Sequence, residues 1–361
     1  MKKEKIDPLM IEEEFHKNGK RTSRQNRKKA SRLDRSKYKK TDLQKIKTTK
    51  PQNDPSLKRG RVVSILGEKI HVVLDKKEYI CSLRGNLKKD TSLLKNLVAV
   101  GDLVYFSEED LSIHFVDDRY SILSRKDLLR KKEHIIAVNI DLVFIVVSVV
   151  SPPLKPFLID RYIIAAKKGN MAPIILINKI DLLEKGSEQE KEYFDVKEAF
   201  EKSGYKIIGL SAKNNEGIDK LLKEMKNKAS VFSGQSGVGK SSLINACLGT
   251  EFKTGPIVEK TLKGAHVTTR ASLIPLEKGG YCIDTPGIKS FGIWLLTQKD
   301  VKNHFHEFSK YSIFCKYPDC NHLAEPECAV KVAVQEKEIP MLRFEAYRSL
   351  IESLDEKELN R

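Results

Sequence analysis

Gly234-Gln235-Ser236-Gly237-Val238-Gly239-Lys240-Ser241 is the stretch on which the fold of this 361-residue chain turns. It is a complete Gly-x(4)-Gly-Lys-Ser. An apolar run at 229–232 precedes it and a helical run at 242–248 follows, which is the strand–loop–helix context a phosphate loop requires. Glycines let backbone N–H groups of Gly234 to Ser242 wrap phosphate oxygens at a helix N-terminus. Lys240 would neutralise β/γ-phosphate charge, and the Ser241 hydroxyl would ligate Mg²⁺. A Gly-rich turn with a chance Lys would not place all three elements in order.

Working outward, Asp284-Thr285-Pro286-Gly287 ends an apolar run at 281–283. An Asp there can hold Mg²⁺ through water, and the Gly287 N–H can sense a γ-phosphate. Upstream of the phosphate loop, Asn178-Lys179-Ile180-Asp181 ends a run at 172–177, and Ser211-Ala212-Lys213 follows another at 206–210. The pair reads as a guanine-recognition set. Asp181 would accept from guanine N1–H and N2–H₂, donors that adenine does not present in that arrangement. Asn178 would support loop and base, the Lys179 stem would cover a base face, and an Ala212 backbone N–H would meet guanine O6. An ordinary GTPase runs phosphate loop, switch I, Asp-x-x-Gly, Asn-Lys-x-Asp, Ser-Ala-Lys. Here the last two come first, so the order is circularly permuted. The cut falls just after switch II, which predicts that the flanking modules join the GTPase near its moving part.

Between phosphate loop and Asp284 lies Gly264-Ala265-His266-Val267-Thr268-Thr269, where switch I belongs. Either Thr268 or Thr269 can coordinate Mg²⁺ and close over the γ-phosphate. Ile288 follows Gly287 where Ras-like enzymes carry a water-orienting Gln, so intrinsic hydrolysis is expected to be slow. His266 is the local candidate to position water, with a packing role as the plain alternative. Cys315-x(4)-Cys320-x-His322-x(5)-Cys328 matches a closed structural Zn²⁺ site with no open position for catalysis. Cys81, Cys247 and Cys282 sit in apolar runs and read as buried thiols.

The predicted organisation has four parts: a basic arm at 1–58, an OB-type β-barrel of about five strands at 59–125, an α/β permuted P-loop GTPase domain at 126–294, and a helical zinc-binding domain at 295–361. The arm holds 19 basic and 8 acidic residues, a net +11, which leaves +6 of the chain's +17 for residues 59–361. At 40% apolar residues the chain can build cores, which argues against global disorder. No run approaches the ~18 apolar residues of a membrane span, and six Cys are too few for a disulfide-built secreted fold. These features point to the cytoplasm and away from the membrane, and nothing marks a dimer seam, so a monomer is expected.

With those motifs in place, and with Ala137-Val138-Asn139-Ile140-Asp141 and Asp160-Arg161-Tyr162 beside them, the chain resembles the ribosome small-subunit-dependent GTPase A family over residues 59–361. The resemblance implies a late maturation factor for the 30S subunit that binds GTP and GDP. It implies contacts from the barrel and zinc domain to 16S rRNA, stimulation by the subunit, and release on hydrolysis. Val267 stands where the family's switch I usually has Thr. The arm is longer than in many members; its expected role is salt-dependent attraction to rRNA phosphates. Two other readings are a GTP-sensing rRNA-binding scaffold with little catalysis and a large-subunit permuted GTPase.

Overall fold

The computed structural model describes residues 54–84, 97–127, 132–248, 271–284 and 296–359. Its first part is a closed five-stranded barrel: β1 (Leu57–Leu66), β2 (Lys69–Leu74), β3 (Lys77–Leu83), β4 (Leu103–Ser107) and β5 (Ser112–Val116), in the order β1-β2-β3-β5-β4 with β4 returning to β1. Alternating side chains point inward, so Val62, Ile70, Val72, Cys81, Val104, Phe106 and Ile113 fill the interior. Asp75 and Lys76 both have positive φ, the conformation a two-residue hairpin between β2 and β3 needs. Buried Asp102 accepts from Ala99 N at 2.7 Å and from Arg119 Nε and Nη2 at 2.7 and 2.8 Å, tying the entry to β4 to the exit from β5.

A hairpin of β6 (Ile122–Asp127) and β7 (Lys132–Val138) follows, an element the sequence reading did not draw, and it leads into the Ala137–Asp141 motif. That motif is the joint between barrel and GTPase. Fully buried Asn139 donates to Gly101 O at 3.1 Å and accepts from Tyr120 N at 2.9 Å, and its carbonyl accepts from Arg61 of β1. Asp141 accepts from Ala229 N at 2.7 Å, which fixes where the phosphate-loop strand begins.

The GTPase sheet has six strands in the order β10-β9-β8-β11-β13-β12: β8 (Leu142–Ser148), β9 (Ala172–Asn178), β10 (Ile207–Gly209), β11 (Ala229–Ser233), β12 (Ser272–Pro275) and β13 (Tyr281–Asp284). All neighbours pair parallel except β12, which runs antiparallel to β13. Central β8 is buried at every position, as expected for a parallel strand covered on both faces. One face (Val143, Ile145, Val147) packs under α1 (Pro156–Lys168) and α2 (Glu188–Lys202), through Ile159, Ile163, Val196 and Phe200. The other (Phe144, Val146, Phe232) packs under α3 (Ile218–Met225) and α4 (Lys240–Leu248).

The last module comprises α5 (Gln298–His304), α6 (Ser309–Ser312), α7 (Ala329–Gln335) and α8 (Met341–Leu359). Thr297 and Asp300 form a capping box at the start of α5. The module packs on α1 and, through α8, on α2. The Asp160–Tyr162 motif is the dock. Asp160 and Arg343 are fully buried and form an ion pair, and His304 Nε2 lies 2.7 Å from the same carboxylate. Arg343 Nε donates to Glu307 at 2.7 Å, and its guanidinium lies against the rings of Phe200 and Phe305 at 4.8 and 4.4 Å. Arg161 donates to Ser353 Oγ. Among the described residues no helix is long and apolar enough to cross a membrane.

Candidate functional site

Because β8, β9, β10, β11 and β13 run parallel, their C-terminal ends carry Ser148, Asn178, Gly209, Ser233 and Asp284 to one edge of the sheet. The loops leaving that edge include every described motif of the nucleotide reading, despite their permuted order in the chain. Gly234 (φ 147°) leaves β11 against β8; a Cβ on it would sit 2.1 Å from Val146 O. Gly239 (φ 91°) closes the loop against Asn178; a Cβ there would sit 2.3 Å from Asn178 Nδ2.

Asn178 is the hub. Only 3% exposed, it donates from Nδ2 to Val238 O at 2.8 Å and accepts at Oδ1 from Ala212 N at 3.2 Å. One side-chain amide therefore joins the phosphate loop to both guanine loops. Ser211, fully buried, donates to Asp181 Oδ1 at 2.5 Å and accepts from Asn214 N, leaving the second Asp181 oxygen outside that bond. Lys179 takes a left-handed conformation (φ 67°), an uncommon cost for a side-chain-bearing residue of the kind found at ligand sites. Its Nζ donates to Ser151 O at 2.6 Å. Lys240 Nζ donates to Gly234 O at 2.8 Å and Gln235 O at 2.5 Å. Ser236, Ser241 and Ser242 are exposed in the loop and first turn of α4, and Val238 is buried beneath them.

The 151–153 loop was missed in the sequence. Ser151 holds Lys179, and Pro152 Cδ would lie 3.8 Å from a Cβ on Gly237, so this loop flanks the phosphate loop. Its only signal was a Ser-Pro-Pro turn at the end of a strand. Asp284 is placed by its backbone at the end of β13, beside β11. Its carboxylate and the Ser241 hydroxyl are oxygen donors that suit a hard Mg²⁺ ion. His266, Thr268, Thr269 and Gly287 lie outside the described residues.

The second site is metal-like in its geometry. Cys315 Sγ lies 3.8 Å from Cys328 Sγ and 3.7 Å from His322 Nδ1, and Cys328 Sγ lies 3.4 Å from that nitrogen. All four donor atoms, Cys320 Sγ included, fall within 4.8 Å of one another. A tetrahedron with Zn–S near 2.3 Å has edges of about 3.8 Å, so the donors already stand where a four-coordinate ion needs them. As a free thiol Cys320 is pushed up to about 12 by burial, with the facing Cys328 and Cys315 adding to it, so keeping the Cys320 sulfur as a thiolate at neutral pH takes a cation. His322 is left-handed (φ 61°). Glu325 holds that turn by accepting from the N–H groups on either side, Asn321 at 2.8 Å and Leu323 at 2.9 Å, and Tyr347 of α8 donates to Asn321 O. These supports were not legible from ligand spacing. Of the other thiols, Cys81 and Cys282 are buried and Cys247 is half-buried.

Comparison with known proteins agrees with this arrangement. The RsgA GTPase family model matches residues 116–294. A Flavobacterium johnsoniae protein named small ribosomal subunit biogenesis GTPase RsgA is 35% identical over 306 residues, 82% of this chain and 94% of its own. A Chlorobaculum parvum protein of the same name is 39% identical, over 72% of this chain and 86% of that protein. The crystal structure of YjeQ from Thermotoga maritima superposes with a TM-score of 0.66 at 32% identity, covering 82% of this chain and 98% of that one. YloQ, described as a circularly permuted GTPase, gives 0.66 at 26% identity, covering 85% and 98%. With a relative 35% identical over 82% of this chain and the family model matching residues 116–294, the chain belongs to the RsgA family of GTPases.

Proposed function

We propose that this chain hydrolyses GTP and uses its nucleotide state to time its departure from a maturing small ribosomal subunit. The observation that carries the reading is the Asn178 brace, which joins three loops that are scattered and permuted in sequence into one guanine-nucleotide cleft. The printed names of the relatives supply the setting, small-subunit biogenesis.

In this reading Asp181 takes guanine N1–H and N2–H₂ while Ser211 orients it, and the Lys179 stem covers the base. Lys240 leaves its two loop carbonyls for phosphate oxygens, trading neutral acceptors for charged ones. Backbone N–H groups of Gly234 to Ser242 wrap the phosphates. Ser241, Asp284 and Thr268 or Thr269 would hold Mg²⁺, which when bound would supply positive charge against the transferring phosphoryl group. Gly287 senses the γ-phosphate and His266 positions water. Ile288 offers no polar group for that task, so turnover depends on the subunit. Cys315, Cys320, His322 and Cys328 hold one structural Zn²⁺. The barrel and zinc module contact 16S rRNA, and the arm at 1–58 adds sequence-independent, salt-sensitive attraction. The protein acts as a cytoplasmic monomer.

The test is co-sedimentation with purified 30S and 50S subunits. A non-hydrolysable GTP analogue should retain the protein on 30S and GDP should release it. Equal retention with both nucleotides, or preference for 50S, contradicts the reading.

A further inference from the structure

A groove of about 840 Å³ runs between α2 and the corner where α7 meets α8, and no residue of the nucleotide loops or the Cys/His centre lines it. Its floor is apolar: Phe157 at the start of α1, buried Ile339, and Leu342. Met341 stands on the rim, 55% exposed. The walls are acidic. Glu192, Asp195 and Glu198 fall three residues apart on one face of α2, and Glu345 faces them from α8. Two cations also line the groove, but Lys202 is taken by Glu198 at 2.7 Å, which leaves Lys337 against three carboxylates. Burial chiefly, and then the neighbouring Asp195, raise the Glu192 carboxyl.

An anionic groove on a chain of net +17 is a poor place for a nucleic acid and a good one for a polycation. The apolar floor adds a second requirement, a large hydrocarbon side chain to cover it. We propose that this groove docks a lysine- and arginine-rich protein segment that carries a large apolar anchor. The anchor lies on Phe157, Ile339 and Leu342. The flanking cations meet Glu192 and Asp195 on one side and Glu345 on the other. This goes beyond the GTPase reading, and its test uses neither nucleotide nor ribosomal subunits, so either can fail alone.

The experiment takes the full chain and three fluorescein-labelled probes at near-physiological salt. One is a twelve-residue Lys/Arg peptide with two Leu at i and i+4, one is the same peptide with Ser for Leu, and one is a single-stranded RNA of twelve nucleotides. Anisotropy should show the Leu peptide binding at least tenfold tighter than the Ser peptide. Asp195→Lys with Glu345→Lys, both at exposed positions, should weaken it at least tenfold. Hydrogen exchange on the unmodified chain should show the Leu peptide protecting 192–199 and 339–346, a readout independent of any variant. Affinity unchanged by the charge reversals, equal affinity for the Ser peptide, or protection of this groove by RNA would each overturn the proposal.

Discussion

The phosphate-loop cleft and the Cys/His centre both gather polar groups from distant loops, yet they are built in opposite ways. In the cleft three functional side chains already have partners from the protein: Lys240 on Gly234 and Gln235 carbonyls, Asp181 on Ser211, Lys179 on Ser151. A ligand entering there would exchange with these partners. In the Cys/His centre Cys315, Cys328 and His322 face one another at 3.4–3.8 Å and Cys320 joins them within 4.8 Å, a cluster of lone pairs that suits a cation at its middle. The first is organised for turnover, the second for a resident ion.

That contrast can be broken most forcefully at the centre. Cys320→Ala, or chelation, should remove metal and unfold the module, since a structural zinc contributes roughly 10 kcal/mol or more to folding in small domains. Metal content and hydrogen exchange across 298–351 would show it, and an unaltered module after metal loss would break the comparison. Next comes the dock between module and GTPase. Arg343→Met leaves fully buried Asp160 and partly buried Glu307 without their cation, and should cost about 3–5 kcal/mol by denaturant unfolding.

At the cleft the effects should fall on binding and spare stability. Gly239→Ala drives a methyl group into Asn178 at positive φ and should weaken GTP about 100-fold, with thermal unfolding shifted by only a few degrees. Asp181→Asn should lose guanine preference and favour xanthine nucleotides, whose 2-carbonyl accepts where guanine donates; a competition assay reads it.

The smallest effect is a pH slope at the dock. Burial holds His304 below its ordinary 6.5 despite the nearby Asp160, so it stays neutral in the folded protein. The unfolded chain binds that proton near pH 6.5, so its share of stability is present above this pH and is lost as pH falls, at up to about 1.4 kcal/mol per unit. His304→Gln should flatten the slope below pH 6.5. Asp160 is also held low: burial opposes its charge, but Arg343 and His304 outweigh that. Its stabilising share is therefore present above its ordinary 3.8 and is lost only as pH falls below that value.

Much of this was legible in the sequence because some motifs encode backbone. The glycines at 234, 237 and 239 and the strand ends at Asn178 and Asp284 depend on local chain geometry, which residue type reports directly. The apolar run that became β8 and the helical spacing of α1 were legible for the same reason. What escaped depends on encounters between distant segments. Nothing local marks Arg343 as the partner of Asp160 across 183 residues, or Ser151 as the acceptor for Lys179. The expectation that the flanking modules join the GTPase near its moving part lies partly outside the described residues, and it gave no hint of the packing of the C-terminal module on α1 and α2. The β6–β7 hairpin was missed because Ile122 and Leu123 are too few apolar residues to reveal a period.

The most direct measurement is GTP turnover by the full chain, alone and with purified 30S or 50S subunits. The account predicts slow turnover alone, at least a tenfold rise with 30S, little with 50S, and loss of that rise in Lys240→Ala. Equal rates with and without 30S, or a Lys240→Ala protein that turns over GTP normally, would contradict it.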